Sequence, residues 1–251
     1  MARIAMVTGA TSGIGRASAI RLAQEGFSLI INGRREERLR QVATLLENLG
    51  SKCYFKTLDV RVQEDVDAFV SGLPDEWKAI DILVNNAGLA AGKGTIQEGS
   101  LDHWERMIDT NLKGLLYVSR AIIPGMIERK SGHIINIGSI AGKEVYPGGN
   151  VYNASKHGVD ALTRAMRIDL IEHNIRVSQI APGMVETEFS VVRFDGDKAK
   201  ADEVYQGFEP LYAEDIADAV TYQVTRPPHV NIADILILPT AQASATVVSK
   251  K

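Results

Sequence analysis

Ile4-Ala5-Met6-Val7-Thr8-Gly9-Ala10-Thr11-Ser12-Gly13-Ile14-Gly15 is the stretch whose reading decides the fold. Ile4–Val7 is a continuous apolar run, the pattern of a strand covered on both faces of a parallel sheet. A helical pattern, Ile14–Gln24, begins where the glycines end. Between the two, Gly9, Gly13 and Gly15 let the backbone turn tightly and approach a ligand, and the helix N-terminus favours an anion. The spacing is Gly-x3-Gly-x-Gly, not the Gly-x-Gly-x2-Gly of the common dinucleotide fingerprint. A glycine-rich turn also fits a tight connection with no ligand. The strand before it and the helix after it favour a phosphate loop, with Gly9, Thr11, Ser12, Gly13, Ile14 and Gly15 as candidate contacts.

The same alternation continues along the chain. Further strand patterns fall at Leu29–Asn32, Tyr54–Leu58, Ile82–Val84, His133–Ile137, Val177–Ile180 and Ile235–Leu238. Helix-length patterns lie between them at Arg35–Leu49, Gln63–Gly72, Leu101–Arg129, Val151–Glu172 and Ala213–Thr225. Strict strand–helix alternation implies right-handed βαβ units. The expected fold is therefore α/β, a Rossmann-type doubly wound parallel sheet of about seven strands with helices on both faces. No linker or internal repeat divides the chain, so residues 1–251 are expected to form one domain. The longest gap between elements runs from Thr187 to Tyr212, mixed in charge and only weakly helical, and is expected to be a lid over the site.

Composition removes several function classes. Of 251 residues, 45% are hydrophobic and 24% charged, which excludes disorder, collagen and coiled coil. The net charge of −3 comes from 28 basic and 31 acidic residues with no long block of either sign, so no nucleic-acid or anionic-membrane footprint is expected. No apolar run nears the ~18 residues a membrane span needs. The start, Met1-Ala2-Arg3-Ile4, leaves no room for a signal peptide, and the single Cys53 suits a reducing compartment; a cytoplasmic location is expected. His103 and the other histidines lack metal-ligand spacing, and no metal is expected.

The second strand runs out through Asn32-Gly33-Arg34-Arg35. Dinucleotide folds that prefer NAD place an acid here, on the adenosine ribose. This chain has none from Asn32 to Arg35, and Arg34 and Arg35 suit a 2′-phosphate instead. Each charge-assisted bond is worth about 1.5–3 kcal/mol, so one or two would favour NADP by about 10²–10⁴-fold. The competing reading, two solvated arginines, places positive charge at a helix start, where it is mildly unfavourable.

Tyr152 and Lys156 stand four residues apart in a helical pattern and share one face. Ser139 follows the strand His133–Ile137, at the carboxyl edge where open parallel sheets place their sites. A free tyrosine, with pKa ~10, is a poor base at neutral pH. A lysine ammonium ~4 Å away would contribute about 4 kcal/mol at an effective dielectric of about 20, roughly three pKa units before desolvation. A serine hydroxyl would hold the substrate oxygen in line with the tyrosine. Taken alone, Tyr-x3-Lys is also a common surface pair.

Taken together, Thr8-Gly9-x3-Gly13-x-Gly15, Asp59-Val60, Asn85-Asn86-Ala87-Gly88, Asn111, Ser139, Tyr152-x3-Lys156 and Pro182-Gly183 resemble the short-chain dehydrogenase/reductase family over nearly the whole chain. The resemblance implies Tyr152 as general acid/base, and Lys156 on the nicotinamide ribose, lowering the tyrosine pKa. It implies Ser139 as the group orienting the substrate oxygen, and Asn111 holding Lys156 through a water. Asp59 and Val60 would contact adenine, while Asn86, Ala87 and Gly88 would line the ribose side. The loop from Pro182-Gly183 through Val185 would pass the nicotinamide, with Thr187 near its carboxamide. The family also implies a homotetramer built on the Leu101–Arg129 and Val151–Glu172 helices.

Gly138-Ser139-Ile140-Ala141-Gly142, Tyr146-Pro147-Gly148-Gly149, Glu188-Phe189-Ser190, Val192-Arg193-Phe194 and the ending Ile232-Ala233-Asp234 through Pro239-Thr240 resemble the NADP-dependent 3-hydroxy acid (serine) dehydrogenase group. That group oxidises L-serine, L-allo-threonine and similar acids, so a small 3-hydroxy or 3-oxo acid is the implied substrate. Its carboxylate needs a cation, and Arg193 in the expected lid is the candidate, with lid anchoring as its alternative role. Glu144 would disfavour an anion if it pointed inward, and its direction is open. Two other readings stand beside this one: a broad-specificity NADPH-dependent carbonyl reductase, and a non-catalytic nucleotide-sensing protein.

Overall fold

Side chains of a strand alternate between faces, and the first strand shows what that does here. Ala5 and Val7 enter one buried cluster, while Ile4 and Met6 enter another. In the computed structural model, which describes residues 2–251, this strand β1 (Ile4–Val7) lies mid-sheet, and Met1 falls outside the described residues. Val7 faces Ile31 of β2 (Ser28–Gly33) on one side and Val84 of β4 (Ile80–Asn85) on the other. With β3 (Cys53–Thr57), β5 (Gly132–Ile137), β6 (Ile175–Pro182) and β7 (Asp234–Ile237), the sheet runs β3-β2-β1-β4-β5-β6-β7. Every ladder is parallel. The expected doubly wound Rossmann sheet is what forms.

Helices cover both faces. The helices α1 (Gly13–Gln24), α2 (Glu36–Asn48) and α9 (Ala213–Val224) bury Leu22, Leu39, Leu46, Ile216 and Val220 against Leu29, Ile31, Val84 and Ile135. On the other side α3 (Gln63–Ser71), α5 (Leu115–Arg129) and α6 (Asn150–Asp169) bury Val66, Val118, Ile122, Met126 and Val159 against Met6, Ile30, Leu83, Ile134 and Val177. Continuous apolar strands are the consequence of this two-sided burial. Among the described residues, no helix is long and apolar enough to cross a membrane.

The pattern expected as one helix over Leu101–Arg129 divides into α4 (Leu101–Ile108), a π turn (Asp109–Gly114) and α5. A π turn inserts one residue into the helical ladder, which apolar periodicity over so long a segment does not reveal. Gly114 is required there, because a Cβ would lie 2.7 Å from Val60 Cγ2. The segment 187–212 holds two short helices, α7 (Glu188–Arg193) and α8 (Lys198–Glu203).

Candidate active site

The strand order reverses between β1 and β4, and ligands of open parallel sheets bind at the carboxyl ends beside such a switch point. Thr8, just beyond β1, closes that junction. Its Oγ1 accepts from the backbone N–H groups of Asn86 and Ala87, each at 3.0 Å, and the Asn86 amide donates to the Thr8 and Gly9 carbonyls. The phosphate loop is thereby fixed against Asn86-Ala87-Gly88. Gly9 and Gly13 adopt φ of +67° and +51°, which disfavour side chains, and a Cβ on Gly15 would lie 2.5 Å from the Gly9 carbonyl oxygen.

A cleft of about 510 Å³ opens over this edge. It gathers the loop residues Gly9, Thr11, Ser12, Gly13 and Ile14, then Arg34, Arg35, Asp59 and Val60, then Asn86, Ala87 and Gly88. Ser139, Tyr152, Lys156, Pro182, Gly183, Val185, Thr187 and Arg193 line the same cleft. Gly15 and Asn111 lie outside its lining, Gly15 beneath the loop and Asn111 behind Gly88.

Asn111 sits within the π turn, and its side chain is fully committed. Oδ1 accepts from Leu89 N at 2.9 Å, while Nδ2 donates to Leu89 O at 2.8 Å and Ser155 Oγ at 3.0 Å. A Cβ on Gly88 would stand 3.2 Å from Asn111 Oδ1 and 3.6 Å from Lys156 Nζ, so the asparagine and lysine meet on either side of that glycine. Lys156 is buried and donates to the Ile137 carbonyl at 2.9 Å. Burial lowers its pKa to about 8.

Tyr152 is buried too, and burial, followed by the neighbouring Tyr146, pushes its phenol upward. A hydrogen bond with the Ser139 hydroxyl and the charge of Arg193 work in the opposite direction. The cation facing the tyrosine here is Arg193, whose guanidinium lies 5.9 Å from the Tyr152 ring centre and 5.5 Å from that of Tyr146. Arg193 also donates to Tyr146 Oη at 3.0 Å and to the Gly92 carbonyl at 3.4 Å. Both roles weighed for it, facing the site and anchoring the 187–212 segment, are sterically compatible.

The arginines after β2 divide their work. Arg35 donates from Nη2 to Thr11 Oγ1 and Ser12 Oγ and from Nη1 to Glu188 Oε2, all at 2.9 Å. Arg38 donates to the other Glu188 oxygen. Arg34 makes no hydrogen bond or ion pair among the described residues and faces Asp59 only through its charge. Asp59 itself is held by Arg61 through bonds of 2.6–3.1 Å, which lower its pKa.

Glu144 does not point into the cleft: its Oε2 accepts from Ala245 N at 2.8 Å, so it pins the C-terminal segment. Thr8, Arg38, Glu188 and Arg61 were missed as site residues by sequence reasoning. Thr8 and Glu188 carried a signal in the quoted motifs, and Arg38 one as a third arginine close after Arg34 and Arg35 at the start of α2, whereas Arg61 carried none.

A family model described as short chain dehydrogenase matches residues 3–198. Among curated proteins, the NADP-dependent 3-hydroxy acid dehydrogenase of Shigella flexneri is 48% identical over 96% of this chain and 97% of its own length. Sulfoacetaldehyde reductase 2 of Chromohalobacter salexigens is 46% identical over 97% of this chain and 96% of its own. Among solved structures, the closed form of a serine dehydrogenase complexed with NADP+ superposes with a TM-score of 0.93 at 46% identity, covering 99% of both chains.

Proposed function

This chain belongs to the short-chain dehydrogenase family, and from that premise we propose that it interconverts small 3-hydroxy acids and 3-oxo acids with NADP(H). The observation that carries the reading is a cation, Arg193, beside the ring of Tyr152 in the cleft that also holds Ser139 and Lys156. A carboxylate substrate would gain a charge-assisted bond from that cation that a neutral carbonyl substrate would not.

NADP fits the residues present. The positive-φ glycines leave the phosphate loop open to a pyrophosphate, and Arg34, unpaired among the described residues, lines the cleft after β2 where a 2′-phosphate would need a guanidinium. Thr11, Ser12, Ile14, Asp59, Val60, Asn86, Ala87, Gly88, Pro182, Gly183, Val185 and Thr187 would complete its binding, with Arg35 beside the loop. NADP+ supplies the hydride acceptor and NADPH the donor. Tyr152 takes the hydroxyl proton in oxidation and returns it in reduction, through Oη. Ser139 holds the same substrate oxygen in line. Lys156, backed by Asn111, adds positive charge that favours the ionised phenol once it is protonated. We place residues 187–212 as a lid over the substrate end, within a single domain spanning residues 1–251. The protein is further proposed to be cytoplasmic and a homotetramer that binds neither nucleic acid nor membrane.

A second anionic class shares the geometry. In isethionate, as in 3-hydroxypropionate, one methylene separates the hydroxyl carbon from the anionic centre. The likeness to a sulfoacetaldehyde reductase favours that reading alongside the carboxylate one. Assaying NADP+ reduction with L-serine, 3-hydroxypropionate, isethionate and 1-propanol tests both. Activity on the acids or the sulfonate far above that on propanol is expected. The reverse order would make the protein a general carbonyl reductase.

Cofactor choice is tested separately. Arg34→Ala is expected to reduce the preference for NADP over NAD by about tenfold to a hundredfold, the loss of one charge-assisted phosphate bond. The ratio of kcat/KM values for the two cofactors measures it. Equal wild-type values would overturn the NADP assignment.

A further inference from the structure

Glu188 is the first residue of α7, where an acid is favourable for the helix dipole alone. Its contacts go well beyond that. Both carboxylate oxygens are taken, one by Arg35 and the other by Arg38, which come from the start of α2. Arg35 in turn grips Thr11 and Ser12 of the phosphate loop with the other arm of its guanidinium. A continuous polar span thus joins the phosphate loop, the start of α2 and the start of the 187–212 segment. Thr187, the residue before Glu188, already touches the loop, since a Cβ on Gly13 would lie 3.3 Å from its side chain.

We propose that Glu188 is a clasp: a positioning residue that fastens the 187–212 segment across the cofactor groove and so retains NADP(H) after it binds. The proposal rests on the reading of the groove as the NADP site. Three features of the span favour it over a surface ion pair of no consequence. One carboxylate serves two guanidiniums, the span links three separate elements, and Thr11, Ser12, Arg35 and Glu188 along it all line the cleft. A cofactor seated beneath it can leave only when the clasp parts, so the clasp acts on the departure rate. Because Arg35 and Arg38 are engaged by Glu188, Arg34 is the guanidinium left to read the 2′-phosphate.

The groups are partly exposed, and an exposed ion pair is individually weak. Two pairs on one carboxylate should slow departure by about three- to tenfold. Salt should weaken them further, since exposed charges are screened.

The test is stopped-flow displacement of NADPH, followed by its fluorescence, from wild type, Glu188→Gln, Arg38→Gln and the double variant at low and high salt. Arg38 does not line the cleft, so its effect must travel through Glu188. Glu188→Gln is expected to release NADPH about three- to tenfold faster and Arg38→Gln, which leaves the Arg35 pair, about two- to fivefold faster, with the double variant no faster than Glu188→Gln alone. The salt dependence of the wild-type rate should flatten in Glu188→Gln, with thermal midpoints unchanged. Release rates within twofold of wild type in both single variants would overturn the clasp, as would fully additive effects of the two changes. A wild type that shows no NADPH binding would instead overturn the reading of the groove, a separate failure visible before any displacement.

Discussion

Tyr152→Phe is expected to lower kcat/KM by about 10²–10⁴-fold, the usual cost of removing a general acid/base. The change deletes one oxygen and keeps the ring, so packing against Phe189, whose ring centre lies 5.7 Å away, should persist. NADPH binding, measured by fluorescence, should stay within a few fold of wild type. The surroundings sharpen the expectation. Burial raises the phenol's pKa, so without positive charge nearby the residue would remain protonated and serve oxidation poorly. Arg193 supplies positive charge beside the phenol, and Lys156 in the same cleft would add more, yet the pKa of Lys156 is lowered to about 8. Its charge is therefore present below that value and falls away as pH rises through it. Oxidation needs both an ionised phenol and a charged lysine, and the two demands pull the working pH in opposite directions. A variant retaining more than about a tenth of the wild-type rate would remove Tyr152 from the proton-transfer role.

Much of this site was legible because its parts depend on local sequence. Gly9 and Gly13 take positive φ, a demand that restricts the residue itself. Tyr152 and Lys156 share a face because α6 is a helix over Asn150–Asp169. The central strands were readable because burial on both faces leaves little room for polar residues, as in Ile134 and Ile135. Strand β7 shows the same apolar run although it is an edge strand with Leu236 half exposed. The rest depends on pairings that no window of sequence displays. Glu188 meets Arg35 across 153 residues, and nothing in the sequence around either one points to the other. Glu144 could have faced the cleft or the C-terminal segment until Ala245 was placed beside it. The π turn holding Asn111 changes helical phase by one residue, too little to disturb the apolar pattern of a long helix.

Arg193→Ala is expected to cost about 2–4 kcal/mol in kcat/KM for 3-hydroxy acids, the loss of a charge-assisted bond to the substrate carboxylate in a closed site. The hydroxyl carbon must lie where Tyr152 and Ser139 can reach its oxygen, so the carboxylate one methylene further on extends towards α7 and Arg193. Tyr146 and Gly92 take two bonds from the guanidinium and hold it in place, and among the described residues its remaining donors have no partner, so they can face an anion. Truncation also removes the side-chain bond to the Gly92 carbonyl and leaves only the backbone bond from Gly92 N–H to the Arg193 carbonyl, at 2.8 Å, to fasten α7 to the loop after β4. A loose segment would harm every substrate alike. Matched pairs separate the two effects, because 3-hydroxypropionate and 1-propanol share a hydroxyl and a chain length and differ in charge. A loss confined to the acid, with the propanol rate nearly unchanged, is the result that the carboxylate contact demands. Equal losses on both would assign Arg193 to holding the segment closed, and the counter-charge would have to be sought elsewhere in the cleft. Isethionate extends the comparison: if one guanidinium serves both anions, its kcat/KM should fall in Arg193→Ala by a factor close to that for 3-hydroxypropionate.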